Sequence, residues 1–167
     1  MKTQTKLIAL VAVAAIAAGA TFGILQRPEV PQAQFIALAG DSFTAADLRG
    51  RVVLVNFWAT SCVTCVAEMP KMAATWRKYA PRGYDMVAVA MSYDHPNAVA
   101  AFVRQQALPF RVALDTDGAV ARAFGNVSVT PTTYLLDRSG RIVAKYVGEP
   151  DWREFHARIE RALAEPA

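Results

Sequence analysis

Cysteine and histidine are scarce in this chain, two of each among 167 residues. A single cysteine pair cannot build the multi-bridge framework of a small disulfide-stapled domain. His95 and His156 lie far apart, and two histidines leave a four-ligand zinc site short of ligands. No segment repeats itself, which excludes solenoid and propeller architectures. Charge of one sign is also lacking. The formal charge of +4 falls to +2 without Lys2 and Lys6 (16 basic against 14 acidic residues), and no basic cluster stands out. That removes the electrostatic footprint of a nucleic-acid binder.

Long apolar runs are missing too, with one exception at the N-terminus. Lys2 and Lys6 precede an uncharged stretch from Leu7 to Leu25. As a helix it would measure about 28 Å, close to the hydrocarbon thickness of a bilayer. Lysines before the span and none soon after it keep the N-terminus cytoplasmic and carry the rest of the chain across. Ala18-Gly19-Ala20 resembles a small-residue cleavage site, the mark of a removable signal peptide. The apolar residues that continue to Ile24 and Leu25 favour an uncleaved anchor. Residues 1–25 are therefore expected to be a membrane anchor or signal peptide, with the remainder exported to the periplasmic or extracytoplasmic side.

Gln26 to Gln34, with Pro28 and Pro31, predicts an extended linker. A single domain is expected over 35–165. Residues 34–43 suggest a short hairpin or lead-in. Val52 to Trp58 and Tyr84 to Met91 are apolar throughout enough to be strands covered on both faces. Between them Cys65, Met69, Met72, Trp76 and Tyr79 share one helical stripe, interrupted by Pro70, which should kink it. Asn97 is expected to cap a helix over 98–107. Phe110 to Leu114 predicts a short strand, and a brief helix ends near Phe124. Thr132 to Leu136 and Arg141 to Val147 flank a polar turn and predict a hairpin. Asp151 and Glu154 have capping-box spacing ahead of a last helix that buries Phe155 and Ile159. The order β-α-β-α-β-α-β-β-α predicts an α/β fold: a central mixed β-sheet flanked by helices.

The two cysteines then take on meaning. Cys62 and Cys65 stand two residues apart where the first core strand gives way to a helix. A bridge across so short a loop restricts the unfolded chain very little, so a purely structural disulfide gains almost nothing there. A dithiol at a strand-to-helix turn can instead exchange electrons with other thiols and disulfides. At the helix start the Cys62 thiolate meets the positive end of the dipole and unpaired backbone N–H groups, which favours its charged form. Cys65, one turn inside, is the more shielded thiol.

Val53-Leu54-Val55-Asn56-Phe57-Trp58-Ala59-Thr60, the Cys62-Val63-Thr64-Cys65 pair, Glu68-Met69-Pro70 and Thr130-Pro131-Thr132-Thr133-Tyr134 carry a further message. Together they resemble the thioredoxin fold, and within it the membrane-anchored TlpA/ResA-like family of thiol–disulfide oxidoreductases, over roughly Phe35 to Leu163. The resemblance implies Cys62 as attacking thiol, Cys65 as resolving thiol and Glu68 as a partly buried proton-handling group. It implies that Pro131 is a cis-proline facing the dithiol, that the backbone beside Thr130 pairs with substrate, and that Trp58 lines the site. It implies no cofactor beyond a redox-active Cys62–Cys65 disulfide, and no metal. The expected partners are protein thiols and disulfides, apocytochrome c or proteins of copper-centre assembly among them, with electrons from a membrane donor of the DsbD or CcdA type. Two departures stand out. Ser61 replaces a Trp common before the first cysteine, leaving a smaller, more polar surface, and Asn56 stands where thioredoxins keep a buried Asp.

Val63 and Thr64 bring no charge to the sulfurs, which favours a reductant over a strong oxidant. The alternative class is a Cu(I)-binding metallochaperone using the same two thiolates, though no additional His or Met ligand stands beside the pair. A peroxiredoxin is excluded because Ala59, not Thr, stands three residues before Cys62.

Overall fold

The computed structural model describes residues 27–166, together with Lys6, Ile8, Leu10 and Val11. The anchor or signal peptide expected over 1–25 lies, apart from those four residues, outside the described part. Among the described residues no helix is long and apolar enough to cross a membrane.

In chain order the elements are β1 (Gln34–Ala37), β2 (Ser42–Thr44), β3 (Val52–Trp58), α1 (Val63–Tyr79), β4 (Tyr84–Ala90), α2 (Pro96–Gln106), β5 (Arg111–Leu114), α3 (Ala119–Ala123), β6 (Thr132–Leu136), β7 (Ile142–Val147) and α4 (Trp152–Ala164). Seven strands form one mixed sheet in the order β2-β1-β5-β4-β3-β6-β7. β3, β4 and β5 run parallel, as their helical crossovers require. β6 lies antiparallel to β3, and the β6–β7 and β1–β2 hairpins close the two sides.

The central strands are buried on both faces, which explains their unbroken apolar sequence. Their period of two sorts side chains into two cores. Val53, Val55 and Phe57 face one, with Val87, Val89, Phe35 and Phe124. Val52, Leu54 and Trp58 face the other, against Cys65, Met69 and Met72 of α1 and Phe155 and Ile159 of α4. Asn56 belongs by parity to the second face, so a polar side chain sits directly under α1.

Helix α1 contains Pro70, as the sequence reading places it. Two details depart from that reading. The cap of α2 is His95, whose Nδ1 accepts from the Asn97 N–H at 3.3 Å, and Pro96 takes the first helical position. A proline there loses no hydrogen bond, because that N–H would be unpaired in any case. The linker stretch is docked. Val30 N–H donates to Gly140 O at 2.8 Å, Pro28 O accepts from Ile142 N–H at 2.8 Å, and Arg27 pairs with both Glu165 and Asp137.

Candidate active site

The dithiol is positioned by the end of β3 and the start of α1. After Trp58 the chain turns, with the Cys62 N–H donating to Ala59 O at 3.1 Å. Cys62 is the N-cap of α1: its Sγ accepts from the Cys65 N–H at 3.2 Å, and its carbonyl accepts from Val66 N–H at 3.0 Å. Cys62 and Cys65 are joined as a disulfide, with Cα atoms 5.2 Å apart. Cys62 is partly exposed and Cys65 fully buried. An incoming group therefore reaches one sulfur and not the other.

Glu68 follows Cys65 by three residues on the same face of α1 and has no solvent exposure. Asn56 Nδ2 donates to Glu68 Oε1 at 3.1 Å and to Thr133 Oγ1 at 2.9 Å. Asn56 and Thr133 are paired directly across β3 and β6, so the sheet register itself builds this bridge. Burial pushes the Glu68 carboxyl up to about 7; the Asn56 hydrogen bond opposes the rise, Glu149 adds to it and Lys71 opposes it. A group that titrates there exchanges a proton readily at neutral pH. Six buried side-chain polar atoms lack a hydrogen-bond partner among the described residues, and Asn56 Oδ1, Trp58 Nε1 and Glu68 Oε2 are three of them. Such atoms are costly in a core and concentrate where chemistry uses them.

The Thr130–Pro131 peptide bond is cis. Thr132, the next residue, pairs with Phe57, so Pro131 lies at the same end of the sheet as the turn that carries Cys62. Thr130 Oγ1 is 3.3 Å from Tyr93 Oη. The structure thus brings Cys62, Cys65, Glu68, Thr130 and Pro131 to one end of β3 and β6. Trp58 needs correction. Its side chain has no exposure and packs on Phe102 with ring centroids 5.2 Å apart. It supports the dithiol from beneath and offers no face to a substrate in this oxidised form.

Sequence reasoning missed Thr133, Thr60, Tyr93 and Asp94. Asp94 accepts from the Thr60 N–H and the Thr60 hydroxyl, each at 2.6 Å, tying the loop after β4 to the loop before Cys62. For Thr60, Tyr93 and Asp94 a usable signal existed: they follow the carboxyl ends of the adjacent parallel strands β3 and β4, where sites in such sheets gather. His95 caps α2, and His156 Nε2 is 2.9 Å from Thr75 Oγ1. Among the described residues no group of three or more His, Cys, Asp or Glu gathers as a metal site.

A family model described as Redoxin matches residues 27–163. The chain belongs to the Redoxin family. It is 35% identical over 133 residues to thiol–disulfide oxidoreductase ResA of Bacillus thuringiensis (strain Al Hakam), covering 80% of this chain and 76% of that protein. The ResA of Bacillus subtilis (strain 168) is 36% identical over 109 residues, 65% of this chain and 60% of the relative. A putative thioredoxin from Neisseria meningitidis superposes with a TM-score of 0.75 at 38% identity, covering 81% of this chain and 90% of that one. A putative thiol:disulfide interchange protein DsbE from Chlorobium tepidum gives 0.75 at 28%, covering 83% and 97%. This Redoxin chain is a thioredoxin-like thiol–disulfide oxidoreductase of the ResA/DsbE type.

Proposed function

We propose that this enzyme reduces protein disulfides on the extracytoplasmic side of the cytoplasmic membrane, held there by its N-terminal segment. The observation that carries the reading is the asymmetry of the pair: a reachable Cys62 at a helix start, a buried Cys65, and a carboxyl near pH 7 beneath it.

In the reduced enzyme the Cys62 thiolate attacks one sulfur of a substrate disulfide. The substrate's other sulfur leaves as a thiolate and takes up a proton. Cys65 gives its proton to the Glu68 carboxylate and attacks Cys62 Sγ. This closes the Cys62–Cys65 disulfide and releases the second substrate thiol. Two electrons pass to the substrate. A dithiol donor in the membrane, of the DsbD or CcdA type, returns them.

Reduction is the favoured direction because Val63 and Thr64 place no positive charge near the sulfurs to stabilise a thiolate. The backbone beside Thr130 offers a main-chain edge for an extended substrate segment. Apocytochrome c and proteins of copper-centre assembly are the proposed substrates.

The test is a Cys65→Ser variant expressed in cells, with mass spectrometry of proteins held on Cys62. Exported cysteine-containing proteins are expected as mixed disulfides that thiol reductants release. Recovery of none overturns the reading.

A further inference from the structure

Among residues 27–166, five large apolar side chains stand exposed: Ile36, Val63, Tyr93, Val129 and Val147. Three of them belong to the segments that gather at the dithiol end of the sheet. Val63 lies between the cysteines, Val129 immediately precedes Thr130, and the Tyr93 hydroxyl is 3.3 Å from Thr130 Oγ1. The loop bearing Tyr93 is fastened on both sides. Met91 N–H donates to Trp58 O at 3.0 Å, and both Asp94 carboxylate oxygens accept from Thr60 at 2.6 Å. Tyr93 is therefore an aromatic side chain 61% exposed to solvent on a backbone with little freedom to move.

Charge is sparse in the three segments that carry these side chains, the Lys71–Glu149 pair standing beyond Pro131, whose carbonyl accepts from Gly148 N–H. In segments 60–64, 91–94 and 127–131 the only charged residue is Asp94, and both of its oxygens are committed to Thr60. Ser61 presents only a hydroxyl, so the apolar area beside Cys62 comes from Val63, Val129 and Tyr93. A charged substrate side chain pressed onto this rim loses water and finds no partner. An apolar one gains by burial. A tyrosine offers large contact area at low conformational cost because only two torsions need fixing.

We infer that Tyr93 is a specificity-determining residue of this enzyme: with Val63 and Val129 it forms an uncharged apolar rim that selects extended disulfide-bearing segments whose cysteine is flanked by apolar side chains. The inference rests on the dithiol exchange proposed above and deepens it. Asp94 and Thr60 act through Tyr93 and are positioning residues.

The test mixes the reduced full-length chain with excess of two peptide disulfides, one with Leu and Phe beside the cysteine, the other with Glu and Lys. Following enzyme oxidation against peptide concentration separates binding from the chemical step. The wild type is expected to favour the apolar peptide about tenfold through binding, the effect of covering one aromatic side chain. Tyr93→Ser should abolish that preference and Tyr93→Phe should keep it. Asp94→Asn should weaken the preference through binding, with the limiting rate retained. Equal reaction with both peptides in the wild type, or a preference that survives Tyr93→Ser, overturns the inference. Oxidation by neither peptide overturns the dithiol reading, and the inference falls with it.

Discussion

Glu68 makes stability depend on pH in a way that one substitution exposes. Its carboxyl titrates at an ordinary 4.5 when unfolded and at about 7 when folded, chiefly because burial penalises the ionised form. The folded state thus holds the proton more tightly than the unfolded state does. The Glu68 contribution to stability is greatest below pH 4.5, falls as pH rises through the window from 4.5 to 7, and levels off above it. The loss across that window is about 3 kcal/mol, at about 1.4 kcal/mol per tenfold change in proton affinity. Glu68→Gln keeps an oxygen for Asn56 Nδ2 and removes the proton. Its absolute stability also changes, because a buried amide N–H₂ takes the place of Oε2, so the informative quantity is the difference from wild type as a function of pH. His156, whose ring burial lowers its proton affinity, also titrates in this region with the opposite sign, but it is common to both proteins and cancels. Urea unfolding of the oxidised forms at a series of pH values from 4.5 to 8 measures the difference. Glu68→Gln should gain about 3 kcal/mol relative to wild type across the series. A difference that does not vary with pH refutes the assignment of a raised Glu68.

Removing the Asn56 amide in Asn56→Ala deletes the hydrogen bond that holds Glu68 down. Carboxyl-carbon NMR should then place the Glu68 midpoint above 7. Thr60→Val removes one of the two donors to Asp94; thermal unfolding should show a loss of about 1–3 kcal/mol, typical for a hydrogen bond to a charged group. Asp115, buried, accepts from the Val120 and Ala121 N–H groups at the start of α3 at 2.9 Å each. Asp115→Ala should cost about 1–2 kcal/mol in urea unfolding while sparing peptide reduction.

The sheet, its crossovers and the dithiol turn were legible because each had a local signal: unbroken apolar strands, a helical stripe, a paired CxxC and a Thr-Pro ahead of a hairpin. Glu68 was expected from the resemblance carried by Glu68-Met69-Pro70, and its spacing from Cys65 puts both on one helix face. Its partner was harder to see. Asn56 is a lone polar residue in an apolar strand, and only the β3–β6 register puts Thr133 opposite it and α1 above it. Tyr93 and Asp94 carry no local motif, since their meaning comes from a hydrogen bond to Thr60, 34 residues away. The substrate contact that the resemblance implies for Trp58 is ruled out for a related reason: strand parity and α2 bury it completely against Phe102. The docking of residues 27–30 depended on bridges to the β6–β7 turn, which composition alone does not reveal.

The central claim is that Cys62 attacks while Cys65 waits beneath it with Glu68. Brief alkylation of the reduced chain with iodoacetamide at neutral pH, followed by peptide mass spectrometry, measures this directly. Label should accumulate on Cys62 well before Cys65. Equal labelling of the two thiols, or faster labelling of Cys65, would contradict the account.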